Sequence, residues 1–336
     1  MPVEVPNLTM HNGRRYPQLG LGNFSSKDPK ELKPALKLAL EEGYRLIDTA
    51  FLYENEEIIG ETLQEVFKEG KLARHDIFIE TKLPYFCHKP EDAEEMIAKQ
   101  LKNLQTDYID LFLIHWGMLA KKKEGENDAE KDANGKLVPA LIPFMDTWKV
   151  LEKYYKKGVF KSIGLSNFTI KDIQKIYDDA EVKPHNYQGE CHILLPEYER
   201  AAFLEKLKII FTAYAPIGSP GRYDEDTGDT GNSTPKGDVL GHPIAQELAK
   251  KYKKSPAQIL LRHLIQRGLA VIPKSVTPEH IKENINIFDF ELSPEDVKKL
   301  DDIKERQRLF LFQSASTHPW FPFPDAMEQI KAGTDK

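Results

Sequence analysis

The sequence predicts a (β/α)8 TIM barrel, and three observations predict it. Eight short strand-like stretches alternate with helical ones, with no break in composition along the chain. The C-terminal ends of those stretches carry polar residues, on the side where such barrels place their sites. No G-x-G-x-x-G follows the first strand, where an open dinucleotide-binding sheet needs one. At 336 residues, 40% of them apolar, the chain can build one large core, and residues 1–336 are read as a single domain.

Residues 1–16 hold two β-like pieces around Asn12-Gly13, a hairpin turn signal. Gln18–Gly22 is the first strand, followed by a helix over Pro29–Glu42 with Leu32, Leu36, Ala39 and Leu40 on one face. Tyr44–Asp48 and Ile77–Lys82 are the second and third strands, with helices over Asn55–Lys68 and Pro90–Leu104. The fourth strand, Ile109–Ile114, is nearly all apolar, as burial on both faces requires. A charged loop, Gly117–Ala140, leads to a helix over Pro143–Lys157. Lys161–Leu165 and His185–Glu190 are strands five and six, with helices at Ile170–Asp178 and Pro196–Lys206. Ile209–Tyr214 is the seventh strand, and a Gly-, Asp- and Thr-rich loop, Ile217–Leu240, follows it. Helices at Pro243–Tyr252 and Pro256–Arg267 precede the eighth strand, Ala270–Pro273. Two further helices, Pro278–Asn286 and Pro294–Ile303, lead to a tail, Arg306–Pro324, that reads as a third ordered loop.

A formal net charge of −6 without a basic stripe argues against nucleic-acid partners. Lys121-Lys122-Lys123 is followed by Glu124, Glu126 and Asp128, the pattern of a solvated loop. The two cysteines, Cys87 and Cys191, lie far apart, and no His, Cys or carboxylate spacing fits a metal, so no metal and a reducing, cytoplasmic setting are expected. The N-terminus lacks a signal-peptide pattern, and no apolar run reaches the roughly 18 residues of a membrane span.

Asp48, Lys82, His115, Ser166-Asn167, Gln188, Tyr214 and Lys274-Ser275 fall on strands two to eight or just beyond their ends, and Tyr53 lies on the loop after Asp48. Each has a plain reading alone: Asp48-Thr49 is a common helix-capping pair, and a lone histidine is usually structural. Together they point to proton chemistry. An ammonium near a phenol lowers the phenol pKa from about 10, and an aspartate behind the lysine keeps it charged. A histidine nearby can orient a carbonyl oxygen. No Ser or Cys nucleophile has a plausible base, which weakens a hydrolase reading.

The chain resembles the aldo-keto reductases, and most closely their aldose reductase and xylose reductase branch. The resemblance runs from Leu19-Gly20-Leu21-Gly22 to Pro322-Phe323. It rests on G-Y-R-L-I-D-T-A-F-L-Y-E-N-E from Gly43, L-F-L-I-H-W at Leu111–Trp116, G-L-S-N-F at Gly164–Phe168 and I-P-K-S-V-T-P-E-H-I-K-E-N at Ile272–Asn284. The resemblance implies NAD(P)H-dependent reduction of a small aldehyde or ketone to the alcohol. Tyr53 would protonate the carbonyl oxygen as hydride arrives from the nicotinamide. Lys82 and Asp48 would depress its pKa, and His115 would orient the carbonyl. Ser166, Asn167 and Gln188 would hold the carboxamide, Tyr214 would stack on the nicotinamide ring, and Ser219 would clamp the pyrophosphate. Lys274, Ser275 and Thr277 would meet the 2′-phosphate, with Glu283 and Asn284 at the adenine. A monomer is the family's default, with dimers among its xylose reductases.

Several positions depart from the family pattern. His280 replaces the arginine usual beside the 2′-phosphate, and an imidazole cannot make a guanidinium's fork of hydrogen bonds. NADPH is therefore expected to be preferred, with less discrimination against NADH. Asn23-Phe24, Pro84, Gly117 and Tyr187 replace residues usual around the substrate, and Phe310 stands where aldose reductase has a reactive cysteine. The aromatic lining that remains, Phe24, Trp116, Phe310, Phe312 and Trp320, suits apolar or aromatic aldehydes at least as well as sugars. Two other readings use the same fold, a redox-sensing binding module and a structural protein. The intact set Asp48, Tyr53, Lys82 and His115 favours the enzyme.

Overall fold

The computed structural model of the protein describes residues 2–220, 237–324 and 326–334. Strands β1 (Asn7–Thr9) and β2 (Arg15–Pro17) form an antiparallel hairpin, with Leu8 opposite Tyr16. Its turn uses Gly13 at φ 82°, a left-handed conformation that a side chain would strain. The hairpin lies over the N-terminal ends of the barrel strands: Asn12 Nδ2 donates to the Lys161 carbonyl at 3.2 Å, and the His11 ring meets the Pro184 carbonyl at 3.0 Å.

The barrel strands are β3 (Leu21–Gly22), β4 (Leu46–Asp48), β5 (Phe78–Leu83), β6 (Leu111–Ile114), β7 (Ile163–Ser166), β8 (Asn186–Glu190), β9 (Ile210–Tyr214) and β10 (Ala270–Val271). Each pairs in parallel with the next. Parallel bridges Leu19↔Val271 and Gly22↔Lys274 bring the first strand beside the last. Gly20 N and Gly22 N donate across that seam to the Val271 and Pro273 carbonyls at 2.9 and 3.1 Å. A Cβ on Gly22 would meet the Ile272 carbonyl oxygen at 2.6 Å, so the seam needs glycine there.

Helices α1 (Pro29–Glu42), α2 (Glu56–Lys68), α3 (Pro90–Asn103), α4 (Phe144–Lys156), α5 (Ile170–Asp179), α6 (Tyr198–Lys206), α7 (Pro243–Tyr252), α8 (Pro256–Gln266), α9 (Pro278–Ile285) and α10 (Pro294–Asp301) occur between and after the strands. Their starts follow local chemistry. Asp28 accepts from Lys30 N ahead of α1, and Ser255 with Gln258 forms a capping box on α8. The sequence reading anticipated all ten, with bounds shifted by a residue or two. It missed α11 (Ala326–Thr334), which follows the tail. The segment 117–140 reads from the sequence as a charged loop, with a solvated lysine cluster at Lys121–Lys123. That loop carries antiparallel bridges Ala120↔Pro139, Lys122↔Ala129 and Lys131↔Leu137, and Lys122 pairs with Asp92 at 2.9 Å. Residues 221–236 of the second expected loop lie outside the described residues.

Side-chain alternation divides the core. Leu46, Phe78, Leu111, Leu113 and Ile210 fill the barrel with Met10 and Tyr16, while Ile47, Ile79, Phe112 and Leu165 pack outward against the helices. On β5 this period puts Glu80 and Lys82 inside with Phe78, each fully buried. Two charged groups inside an apolar barrel need partners, and those partners form the site.

Candidate active site

At the C-terminal ends of the strands lies a cavity of about 810 Å³, within the range of cofactor and ligand sites. Lys82 reaches its floor from β5, and its Nζ donates to Asp48 Oδ2 at 2.5 Å, to the Thr49 carbonyl at 2.9 Å and to Tyr53 Oη at 3.3 Å. Tyr53 sits on a single 3-10 turn, Phe51–Tyr53, that Glu54 closes at φ 54°. The turn points the phenol into the cavity against His115, with ring centroids 5.7 Å apart. Asn23 Nδ2 donates to the Asp48 carbonyl at 2.8 Å and ties the first strand to the second.

Burial sets the charge states. It alone would discharge Lys82, but Asp48, then Tyr53 and Glu80, hold the ammonium above its ordinary range. Burial pushes Tyr53 up to about 12; Lys82 pulls the other way, and Asp48 and Glu80 add to the rise. This corrects the sequence expectation of a net lowered phenol. The lysine acts in the expected direction, and loss of water outweighs it. His115 is driven well below its usual range by burial and by the Lys82 charge, and is neutral around neutral pH. Its Nδ1 is buried without a hydrogen-bond partner.

Asn167, at φ 58°, ties neighbouring strand ends together. Its Nδ2 donates to the His115 carbonyl at 3.0 Å and to Ser166 Oγ at 3.1 Å, and Tyr214 Oη donates to its Oδ1 at 3.0 Å. Gln188 Nε2 donates to Asp48 Oδ2 at 3.0 Å and to Glu80 Oε1. Ser219, Lys274, Ser275, Thr277, His280, Glu283 and Asn284 line the far part of the same cavity. There Ser275 Oγ accepts from Thr277 N at 3.1 Å, and Ser255 Oγ donates to Glu283. The Thr277 side chain makes no cap bond to α9, whose N-terminus and the Lys274 ammonium suit an anion. A tyrosine ring and side-chain amides at one end, with Lys274 and the start of α9 at the other, fit a nicotinamide cofactor.

The aromatic residues divide. Phe24 meets Tyr53 edge-on at 5.3 Å and Phe310 at 6.2 Å, while Trp116 stacks on Phe312 at 4.3 Å, and all four line the cavity with Tyr53. Trp320 is not among the lining residues. Its backbone N–H donates to His318 Nδ1 at 3.0 Å, and its ring turns onto Phe144 at 5.1 Å. Tyr187 also misses the cavity: opposite in phase to Gln188 on β8, it packs outward on Phe211 with Arg200 over its ring. Sequence reasoning passed over Tyr85, Asp128 and Lys131, which line the cavity from the third strand's loop and from the bridged loop. It also passed over Glu80, whose signal was its two-residue phase with Lys82.

Among the described residues no group of His, Cys, Asp and Glu is arranged to hold a metal, and no helix is long and apolar enough to cross a membrane. Cys87 and Cys191 are free and buried.

The sequence profile described as the Aldo/keto reductase family matches residues 17–305. Aldo-keto reductase family 1 member A1 from pig (Sus scrofa) is 39% identical over 328 residues, spanning 95% of this chain and 98% of that protein. The human (Homo sapiens) protein of the same name is 38% identical over 328 residues, with the same 95% and 98% coverage. Among solved structures, the aldose reductase from Schistosoma japonicum superposes with a TM-score of 0.86 at 39% identity, covering 95% of this chain and 99% of that one.

Proposed function

The chain belongs to the aldo/keto reductase family, and we propose that it reduces an aldehyde or ketone to the alcohol with a nicotinamide cofactor, NADPH in preference to NADH. The observation that carries the reading is the Lys82 Nζ, held between Asp48 Oδ2 at 2.5 Å and Tyr53 Oη at 3.3 Å. The whole chain, residues 1–336, acts as one cytoplasmic barrel domain, by default a monomer.

When bound, the cofactor supplies the hydride. Ser166, Asn167 and Gln188 hold its carboxamide, Tyr214 faces the ring, Ser219 meets the pyrophosphate, and Lys274, Ser275 and Thr277 take the 2′-phosphate. His280, Glu283 and Asn284 surround the adenine. Neutral His115 donates an imidazole N–H to the substrate carbonyl oxygen and fixes its direction. Tyr53 then gives its Oη proton to that oxygen as negative charge develops there. Burial keeps the phenol protonated until that moment, because it holds the pKa at about 12. The Lys82 ammonium stabilises the phenolate left behind, and Asp48 keeps the ammonium charged. Phe24, Trp116, Phe310 and Phe312 exclude water from the reacting carbonyl.

Oxidation of NADPH in the presence of para-nitrobenzaldehyde tests this reading. Turnover with NADPH, slower with NADH, is the expected result. Cofactor binding without turnover of any aldehyde or ketone would instead favour a sensing or structural protein.

A further inference from the structure

β5 sends two charged side chains into the barrel, and the chemistry above uses only Lys82. Glu80 is fully buried one layer below it, its Cα paired with that of Asp48. Its Oε2 accepts from Tyr16 Oη at 2.7 Å. That hydroxyl is fixed in direction because it accepts in turn from Thr212 Oγ1 at 3.0 Å, and Thr212 is anchored by Asn186 Nδ2 at 2.8 Å. The other carboxylate oxygen, Oε1, accepts from Gln188 Nε2.

Gln188 thus donates to two carboxylates, Glu80 beneath it and Asp48 beside it. An amide with both hydrogens drawn to the barrel floor can offer only its oxygen to the cavity it lines. The reversed amide would set its oxygen against the Asp48 carboxylate and is disfavoured. With an apolar residue at position 80, one of the two acceptors would be gone, and the amide could turn.

We propose that Glu80 is a positioning residue for the hydride-transfer site: with Asp48 it locks the Gln188 amide oxygen toward the cavity, ready to accept an N–H of the nicotinamide carboxamide. The inference rests on the carbonyl-reductase reading for its cofactor. The titratable groups facing Glu80 are Asp48 from β4, Lys82 from β5, Tyr16 from β2 and Tyr53 from the 3-10 turn. β8 and β9 present neutral Gln188 and Thr212.

Burial and the Asp48 charge push the Glu80 carboxyl above its ordinary range, against Lys82 and the Tyr16 hydroxyl.

The test compares wild type with Glu80→Leu and Glu80→Gln. NADPH affinity is read by fluorescence, with 2′,5′-ADP, which lacks the nicotinamide, as a competitor. Glu80→Leu is expected to weaken NADPH about tenfold and 2′,5′-ADP less than about twofold, and Glu80→Gln to recover most of the loss. Undiminished NADPH affinity in Glu80→Leu, or equal loss of both ligands, would overturn the positioning role. A wild type that binds NADPH but turns over no carbonyl would remove the catalytic reading and leave the affinity comparison as the test of Glu80.

Discussion

The Lys82 ammonium stands 3.3 Å from the Tyr53 hydroxyl, with no exposure to solvent. Asp48 holds it from the other side at 2.5 Å. Deep in the barrel this contact is screened little, so it is strong, and it is costly to break.

Lys82→Met should lower kcat by about 10²–10⁴-fold, because the phenolate loses its stabilising cation. It should also unfold more easily, by about 3 kcal/mol, since Asp48 is left buried without its partner. Adding Asp48→Asn should restore stability and leave activity low. Thermal melts and steady-state rates on both variants check this; recovery of kcat in the double variant would contradict the relay.

Acid should destabilise the fold through its buried histidines. Burial lowers His88 to about 3 and His185 to about 4, so both stay neutral in the folded chain. The unfolded chain binds those protons below about 6.5, and stability falls as pH drops from there toward the folded values. Melting temperature should decline between about pH 6.5 and about pH 4.5, with a shallower slope in His88→Gln. Equal slopes in the two proteins would refute the assignment.

His280→Arg should raise the NADPH-over-NADH ratio of kcat/KM by about tenfold, because a guanidinium can fork onto a phosphate. The change should appear in KM for NADPH, with kcat little altered. An unchanged ratio would place His280 outside the phosphate's reach.

The Trp116–Phe312 stack, with centroids 4.3 Å apart, offers a flat apolar wall. Aromatic aldehydes should therefore exceed open-chain sugars in kcat/KM by about tenfold or more. Trp116→Ala should shrink that advantage. A panel of aldehydes run at one cofactor concentration measures it.

The barrel was legible because strand-like stretches alternate with helical ones along the chain, and polar residues at or just beyond the strand ends exposed Asp48, Lys82 and His115 as neighbours. Side-chain burial was not legible. The phenol of Tyr53 reads as a pKa-lowered acid until the loss of water around it is known, and burial reverses the sign. Glu80 was hidden inside I-F-I-E-T-K, where only its phase with Lys82 shows that it points inward. Trp320 misled because composition does not reveal which way a tail folds; hydrogen bonds at His318 turn the segment onto Phe144. Asp128 and Lys131 reach the cavity through bridges between residues distant from any strand pattern.

The central claim is that Tyr53 donates the proton that completes carbonyl reduction. The most direct measurement is NADPH oxidation with para-nitrobenzaldehyde by wild type and Tyr53→Phe, alongside NADPH binding by both. The account predicts that the variant binds NADPH as wild type does and loses about 10²-fold or more in kcat. Equal turnover by the two proteins would contradict it.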